Sequence, residues 1–117
     1  MADPAWKHDP EDHDFPAALD YLELILPRGE ANRVVEELRQ ATTAIKKAKD
    51  ILRASGLPLL GQDNVHVKSN IEKVQAGKKL SPVLLVRGRP LIVADGYHRI
   101  CAIYALSEDL EVPCRLV

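Results

Sequence analysis

The sequence predicts an α+β domain, and three observations carry that reading. Helical spacing of apolar residues dominates positions 15 to 76. Runs of strand-forming residues appear only from Pro82 onward. A helix that is apolar nearly all round, Ile100 to Leu106, lies between the last two of those runs. At 117 residues the chain holds one modest core and hardly two. Hydrophobic residues make up 46% and charged residues 28%, a globular rather than a disordered balance. With aromatics at 4%, that core is aliphatic.

Residues 1 to 14 read as a loose, flexible tail. Pro4 and Pro10 break any helix, and Asp9, Glu11, Asp12 and Asp14 make the stretch acidic. His8 and His13 sit among those acids. A metal cluster there is weighed against a hydrated tail, and the hydrated tail is preferred because nothing local fixes ligand geometry. Asp14 or Phe15 opens a first helix, with Pro16 suited to its first turn. Phe15, Leu19, Leu22, Ile25 and Leu26 give it one apolar face, and Pro27-Arg28-Gly29 stops it.

A second helix is expected from about Glu30 to Gln40, burying Val34, Val35 and Leu38. Thr42-Thr43 can cap a third, carrying Ile45, Ala48, Ile51 and Leu52 inward, with Ser55-Gly56 as its stop. Lys46, Lys49 and Arg53 on its outer side read as a solvated face. After the connector Leu57 to Gly61, a fourth helix covers roughly Val67 to Ala76 and ends at Gly77. Pro82 to Val86 and Leu91 to Ala94 form an antiparallel hairpin around Gly88-Arg89-Pro90. The apolar helix follows and is expected to be central. Glu111 to Val117 closes the chain as a strand. The organisation is therefore a tail, 1–14, and a single domain, 15–117, with a helical part, 15–56, and a mixed part, 57–117.

Several function classes recede on these totals. Formal net charge is −1, so bulk charge opposes nucleic acid as the main partner. No apolar run approaches the roughly 20 residues needed to cross a bilayer. No secretory signal precedes Cys101 and Cys114, which read as buried thiols. The expectation is a soluble, cytoplasmic protein with no membrane partner.

The informative stretch is Leu91-Ile92-Val93-Ala94-Asp95-Gly96-Tyr97-His98-Arg99-Ile100. It reads as strand, tight turn, helix. The turn gathers free backbone N–H groups, His98 and Arg99 at a helix N-terminus, which suits an anion or phosphate. Asp95 has three roles open to it: capping the helix, holding magnesium beside a phosphate, or acting as a base. Gly96 supplies positive φ or lets a ligand approach the backbone. A cation in the first helical turn opposes the helix dipole unless an anion compensates it. For Arg99 that anion is either an outside phosphate or an acid of the chain, such as Asp95 or Glu72. His98 can donate to phosphate or transfer protons near neutral pH. Tyr97 either stacks on a base or sugar or is a rim residue. Lys78, Lys79, Arg87 and Arg89 are further candidate cations, and Asp63, Asn64 and His66 form a second polar cluster whose plain reading is helix capping.

From about Leu57 to Val117 the residues resemble the ParB/sulfiredoxin-like superfamily. The likeness rests on an ordered series: a helix ending at Gly77, Pro82-Val83 opening a strand, Asp95-Gly96-Tyr97-His98-Arg99, Ala102, then Val112-Pro113. Gly96, Arg99 and Ala102 match the ParB Gly-Glu-Arg-Arg-type box, with Tyr97 and His98 substituted. Gly96, His98 and Arg99 fit the Gly-Cys-His-Arg of sulfiredoxins, but Tyr97 stands at the reactive-cysteine position. Cys101 lies a helical turn deeper, so sulfinic-acid repair is not expected. Asp95, Gly96 and Arg99 fit the Asp-Gly-x-x-Arg of the superfamily's free-serine kinases, whose further acid would be Glu72 or Asp63 here.

The resemblance implies a small ParB/sulfiredoxin-like core with an N-terminal helical extension. It also implies a nucleotide or other phosphorylated ligand held by Gly96, Tyr97, His98 and Arg99. Asp95 and His98 would be the groups for phosphoryl transfer or nucleotide hydrolysis. Mg2+ would come with the nucleotide, near Asp95; no haem, flavin or zinc is expected. A homo-oligomer is compatible with this reading. The alternatives are a non-catalytic interaction module tied to DNA-maintenance proteins and a ParB-like nuclease. The DNA-reading helix-turn-helix of ParB partition proteins is not expected within these residues.

Overall fold

A computed structural model describes residues 3–117, and it is an α+β fold. Four strands form the main sheet: β2 (Thr43–Lys47), β4 (Val83–Val86), β5 (Ile92–Asp95) and β6 (Glu111–Leu116). Their spatial order is β2-β6-β4-β5. β4 lies parallel to β6, while β2–β6 and β4–β5 are antiparallel. Each strand of Val83-Leu84-Leu85-Val86 type must face two ways, because successive side chains point to opposite sides. All four of these residues are buried, so the central strand β4 carries core on both faces.

The two faces hold separate apolar clusters. On one, α3 (Ala48–Ser55), α4 (Val65–Gln75) and α5 (Tyr97–Leu106) pack with Val83, Leu85, Val93, Val112 and Cys114. On the other, α1 (Asp14–Leu22) and α2 (Arg28–Gln40) pack with Leu84, Val86 and Ala94. Residues 15 to 56 are thus shared between both layers. α5 buries Ile100, Cys101, Ala102 and Ile103, in keeping with its apolar sequence. The hairpin β4–β5 turns through Gly88-Arg89-Pro90, where the Arg89–Pro90 bond is cis.

Three expectations are corrected. Thr43 to Lys47 is the strand β2, not the start of a helix, and α3 begins only at Ala48. The β-branched Thr43 and Ile45 suit a strand, and the partner that decides the matter, β6, lies more than sixty residues away. Ala44 packs on the core, while Ile45, expected inward, is 51% exposed.

α1 stops at Leu22 rather than at Pro27. The N–H groups of Leu24 and Ile25 donate to the carbonyls of Tyr21 and Leu22, three residues back, so the last turn tightens and leaves the helix. Leu24 and Ile25 end up exposed.

Residues 5 to 14 dock on the body instead of forming a loose tail. β1 (Ala5–Trp6) pairs in parallel with β3 (Lys79–Leu80). Asp9 pairs with Arg115 at 2.8 Å. The buried Asp14 carboxylate accepts from the Glu11 N–H at 3.0 Å and from the Ser81 hydroxyl. Met1 and Ala2 lie outside the described residues.

Candidate functional site

β5 delivers Asp95 to the sheet edge, Gly96 turns the chain, and α5 starts at Tyr97. The turn requires glycine twice over. Its φ is 108°, and a Cβ there would overlap Val83 Cγ1 and stand 2.9 Å from Arg99 Nη2. The Gly96 carbonyl accepts the first helical bond, from the Ile100 N–H at 3.0 Å. No side chain caps α5, so the capping role read for Asp95 is not the one it plays.

Asp95 instead binds Arg99: Oδ2 accepts from Nη2 at 2.9 Å. Both side chains are more than four-fifths buried. The acid expected to compensate Arg99 is therefore internal, and it is Asp95 rather than Glu72. The guanidinium is not used up by it. Nη2 also donates to the Pro82 carbonyl at 3.4 Å, but Nε is buried without a partner and Nη1 makes no hydrogen bond among the described residues. Burial raises the Asp95 pKa above the ordinary carboxylate value further than Arg99 lowers it, and Asp14 nearby raises it as well.

The α5 tip faces an open cavity of about 260 Å³. Its walls are Asp95 to Arg99 on one side and His66, Ser69, Asn70 and Lys73 on the other. The second set comes from α4, where positions i, i+3, i+4 and i+7 share one helix face. Val67, Ile71 and Val74 bury the opposite face and fix that orientation. Asn64 caps α4 by accepting from the N–H groups of His66 and Val67 at 3.0 and 3.2 Å. Capping is thus the role of Asn64, as the plain reading had it.

His66 and His98 meet across the cavity with ring centroids 4.9 Å apart. His98 is shifted below the ordinary histidine pKa, first by burial, then by His66 and Arg99. At neutral pH this favours an imidazole with one nitrogen free to accept a proton. Among the described residues, no carboxylate lies within ion-pair distance of His66, Lys73 or His98. Among the described residues, Asp95 is the only acid on the cavity wall.

Sequence reasoning singled out Asp95, Gly96, Tyr97, His98 and Arg99, and the fold brings all five to this wall. Tyr97 sits at the rim, and its hydroxyl donates to the Pro58 carbonyl. Lys78, Lys79, Arg87 and Arg89 do not line the cavity. Asp63 and Glu72 line a different one, with Lys68 and Gln75, so neither supplies an acid here. Ser69, Asn70 and Lys73 were missed. Their only sequence signal is a polar stripe opposite an apolar one, which any solvated helix shows.

A second polar cluster holds Glu11, His13 and Asp14, whose ligand-type atoms lie within 4.8 Å of one another. His13 Nε2 is 3.1 Å from Glu11 and 3.4 Å from Asp14, and Lys7 also pairs with Glu11. Magnesium held by Asp95 does not fit the residues present: Arg99 occupies Oδ2, and a guanidinium at 2.9 Å repels a dication. Cys101 and Cys114 are free and buried, and burial raises both thiols above the ordinary cysteine pKa. No described helix is long and apolar enough to cross a membrane. No family model, curated protein or solved structure matches the chain.

Proposed function

We propose that the protein binds a phosphorylated small molecule, a nucleotide foremost, as a ParB/sulfiredoxin-like domain in a cytoplasmic setting. The observation that carries this is the convergence on one cavity of Arg99, Lys73, His66 and His98, with Asp95 as the only acid among them. Arg99 Nη1, which makes no hydrogen bond among the described residues, is the arm of the guanidinium left for a phosphate oxygen. Lys73 adds a mobile charge from the opposite wall. Ser69, Asn70 and the first-turn N–H groups of α5 add neutral donors. In this reading the phosphate is held by side-chain cations and backbone, not through a metal on Asp95.

For phosphoryl transfer or nucleotide hydrolysis, His98 is the proton acceptor and Asp95 the group that orients Arg99. Binding is the part the geometry supports best, and it is tested first. Thermal stability is measured with inorganic phosphate, ribose 5-phosphate and a panel of nucleotides, with and without magnesium. A nucleotide is expected to raise Tm in the wild type. Lys73→Ala, an exposed substitution, is expected to weaken binding about tenfold, the loss of one ligand-facing charge. Unchanged Tm and no calorimetric heat with every probe would remove the proposal.

A further inference from the structure

A second cavity adjoins the first along Asp95, Gly96, Tyr97 and His98, and its chemistry is opposite. It measures about 370 Å³, and its remaining walls are Tyr21, Leu57, Val93 and Ala94. Among the described residues, no Lys or Arg lines it. Three separate parts of the fold build it. Tyr21 comes from α1, in the layer on one face of the sheet; Leu57 follows α3 in the layer on the other; between them runs β5. β5 is an edge strand, so alternate backbone N–H and C=O groups along it face outward with no neighbouring strand. Tyr21 is 42% exposed, and its hydroxyl makes no hydrogen bond among the described residues.

From this juxtaposition we infer where the base of the proposed nucleotide sits: the second cavity is a separate subsite for its planar heteroaromatic ring. The ring seats in the second cavity against Tyr21 while the phosphate occupies the first. The inference rests on the phosphate reading of the first cavity and deepens it by assigning the base a subsite of its own that includes Tyr21. An apolar pocket beside a cationic one excludes a small, fully polar phosphate such as a phosphorylated sugar acid as the best fit. Such a ligand would leave the walls of Leu57, Val93 and Ala94 against water or against unpaired hydroxyls. A flat ring buries those walls and stacks on Tyr21. Its edge nitrogens and exocyclic groups can exchange hydrogen bonds with the strand edge. The same strand thus ends at the phosphate turn and offers its side to the ring. The helical segment before residue 56 contributes through Tyr21 and is part of the ligand site.

The test compares inorganic phosphate, ribose 5-phosphate and the nucleoside monophosphates by calorimetry on the full chain. At least one nucleotide is expected to bind about tenfold or more tightly than ribose 5-phosphate, the scale of one stacked ring. Tyr21→Ala, at an exposed position, is expected to erase that advantage while leaving ribose 5-phosphate affinity unchanged. Tyr21→Phe is expected to keep it. Lys73→Ala is expected to weaken every phosphorylated probe alike. If nucleotides bind no tighter than ribose 5-phosphate, or the advantage survives in Tyr21→Ala, the ring inference falls and the phosphate reading stands. If no phosphorylated probe binds at all, the phosphate reading falls and takes this inference with it.

Discussion

Two arginines are buried on opposite faces of the sheet, and they are spent differently. The Arg115 side chain is 10% exposed and Arg99 16%, and each has a buried Nε with no partner. Arg115 is otherwise consumed by the fold. Its Nη1 donates to the carbonyls of Leu38 and Arg39 at 3.3 and 2.6 Å, and Nη2 binds Asp9 at 2.8 Å. Those carbonyls are in the last turn of α2, so Arg115 satisfies a helix C-terminus from the sheet below, where a cation is favoured. Arg99 sits at a helix N-terminus, where a cation is disfavoured, and only its Nη2 is engaged. One guanidinium closes the structure and the other is held open beside a cavity. Burial alone does not separate two such arginines; the inventory of their donors does, and it is on that inventory that the proposed ligand role of Arg99 rests.

The largest expected effect concerns the turn that sets Arg99. Gly96→Ala must strain φ and push Cβ into Val83 and Arg99, so a loss of about 3 kcal/mol is expected. Denaturant unfolding measures it; a loss below about 1 kcal/mol would mean the turn is not the rigid seat described here.

Next, Arg115→Met strips partners from two carbonyls and is expected to cost about 2 kcal/mol with phosphate affinity unchanged. Arg99→Met strands the mostly buried Asp95 carboxylate and is expected to cost a similar amount in stability, but it alone should lose phosphate affinity, by at least about tenfold. Equal phosphate affinity of the two variants would break the comparison.

The smallest effect is a pH dependence. The Asp95 pKa is raised in the folded state, so its contribution is full below the ordinary carboxylate pKa of 3.8 and is lost as pH rises through the folded value. Asp95→Asn should therefore flatten the fall of Tm above that point. A steeper fall in the variant would show that Arg99, rather than burial, governs the group.

Much of the second half was legible. The β4–β5 hairpin, the buried helix α5 and the closing strand β6 each carry their signal locally: strand formers around a Gly-Pro turn, a helix without a polar face, a Pro-Cys strand at the end. The Asp95–Arg99 tip was legible for the same reason. What the sequence hid was non-local. Thr43 to Lys47 joins the sheet because β6 lies beside it, and no spacing within five residues reports that. Ala5–Trp6 docks because Lys79–Leu80 offers an edge. The α4 wall of the cavity and the Tyr21 side of its neighbour depend on how three layers meet at the end of β5.

The two-sided burial of β4 has a consequence for how the strand finds its place. Where one face of a strand is wet, a slip by a single residue turns greasy side chains into water and is rejected at once. Here both sides are oily, so that proofreading is weak. The choice passes to features outside the hydropathy pattern: the bulge between Leu84 and Leu85 and the bonds that link Arg87 and Leu85 to Val117. The alignment of β4, and with it the position of Asp95 on the neighbouring strand, is entrusted to that bulge and to the clasp between Leu85, Arg87 and Val117.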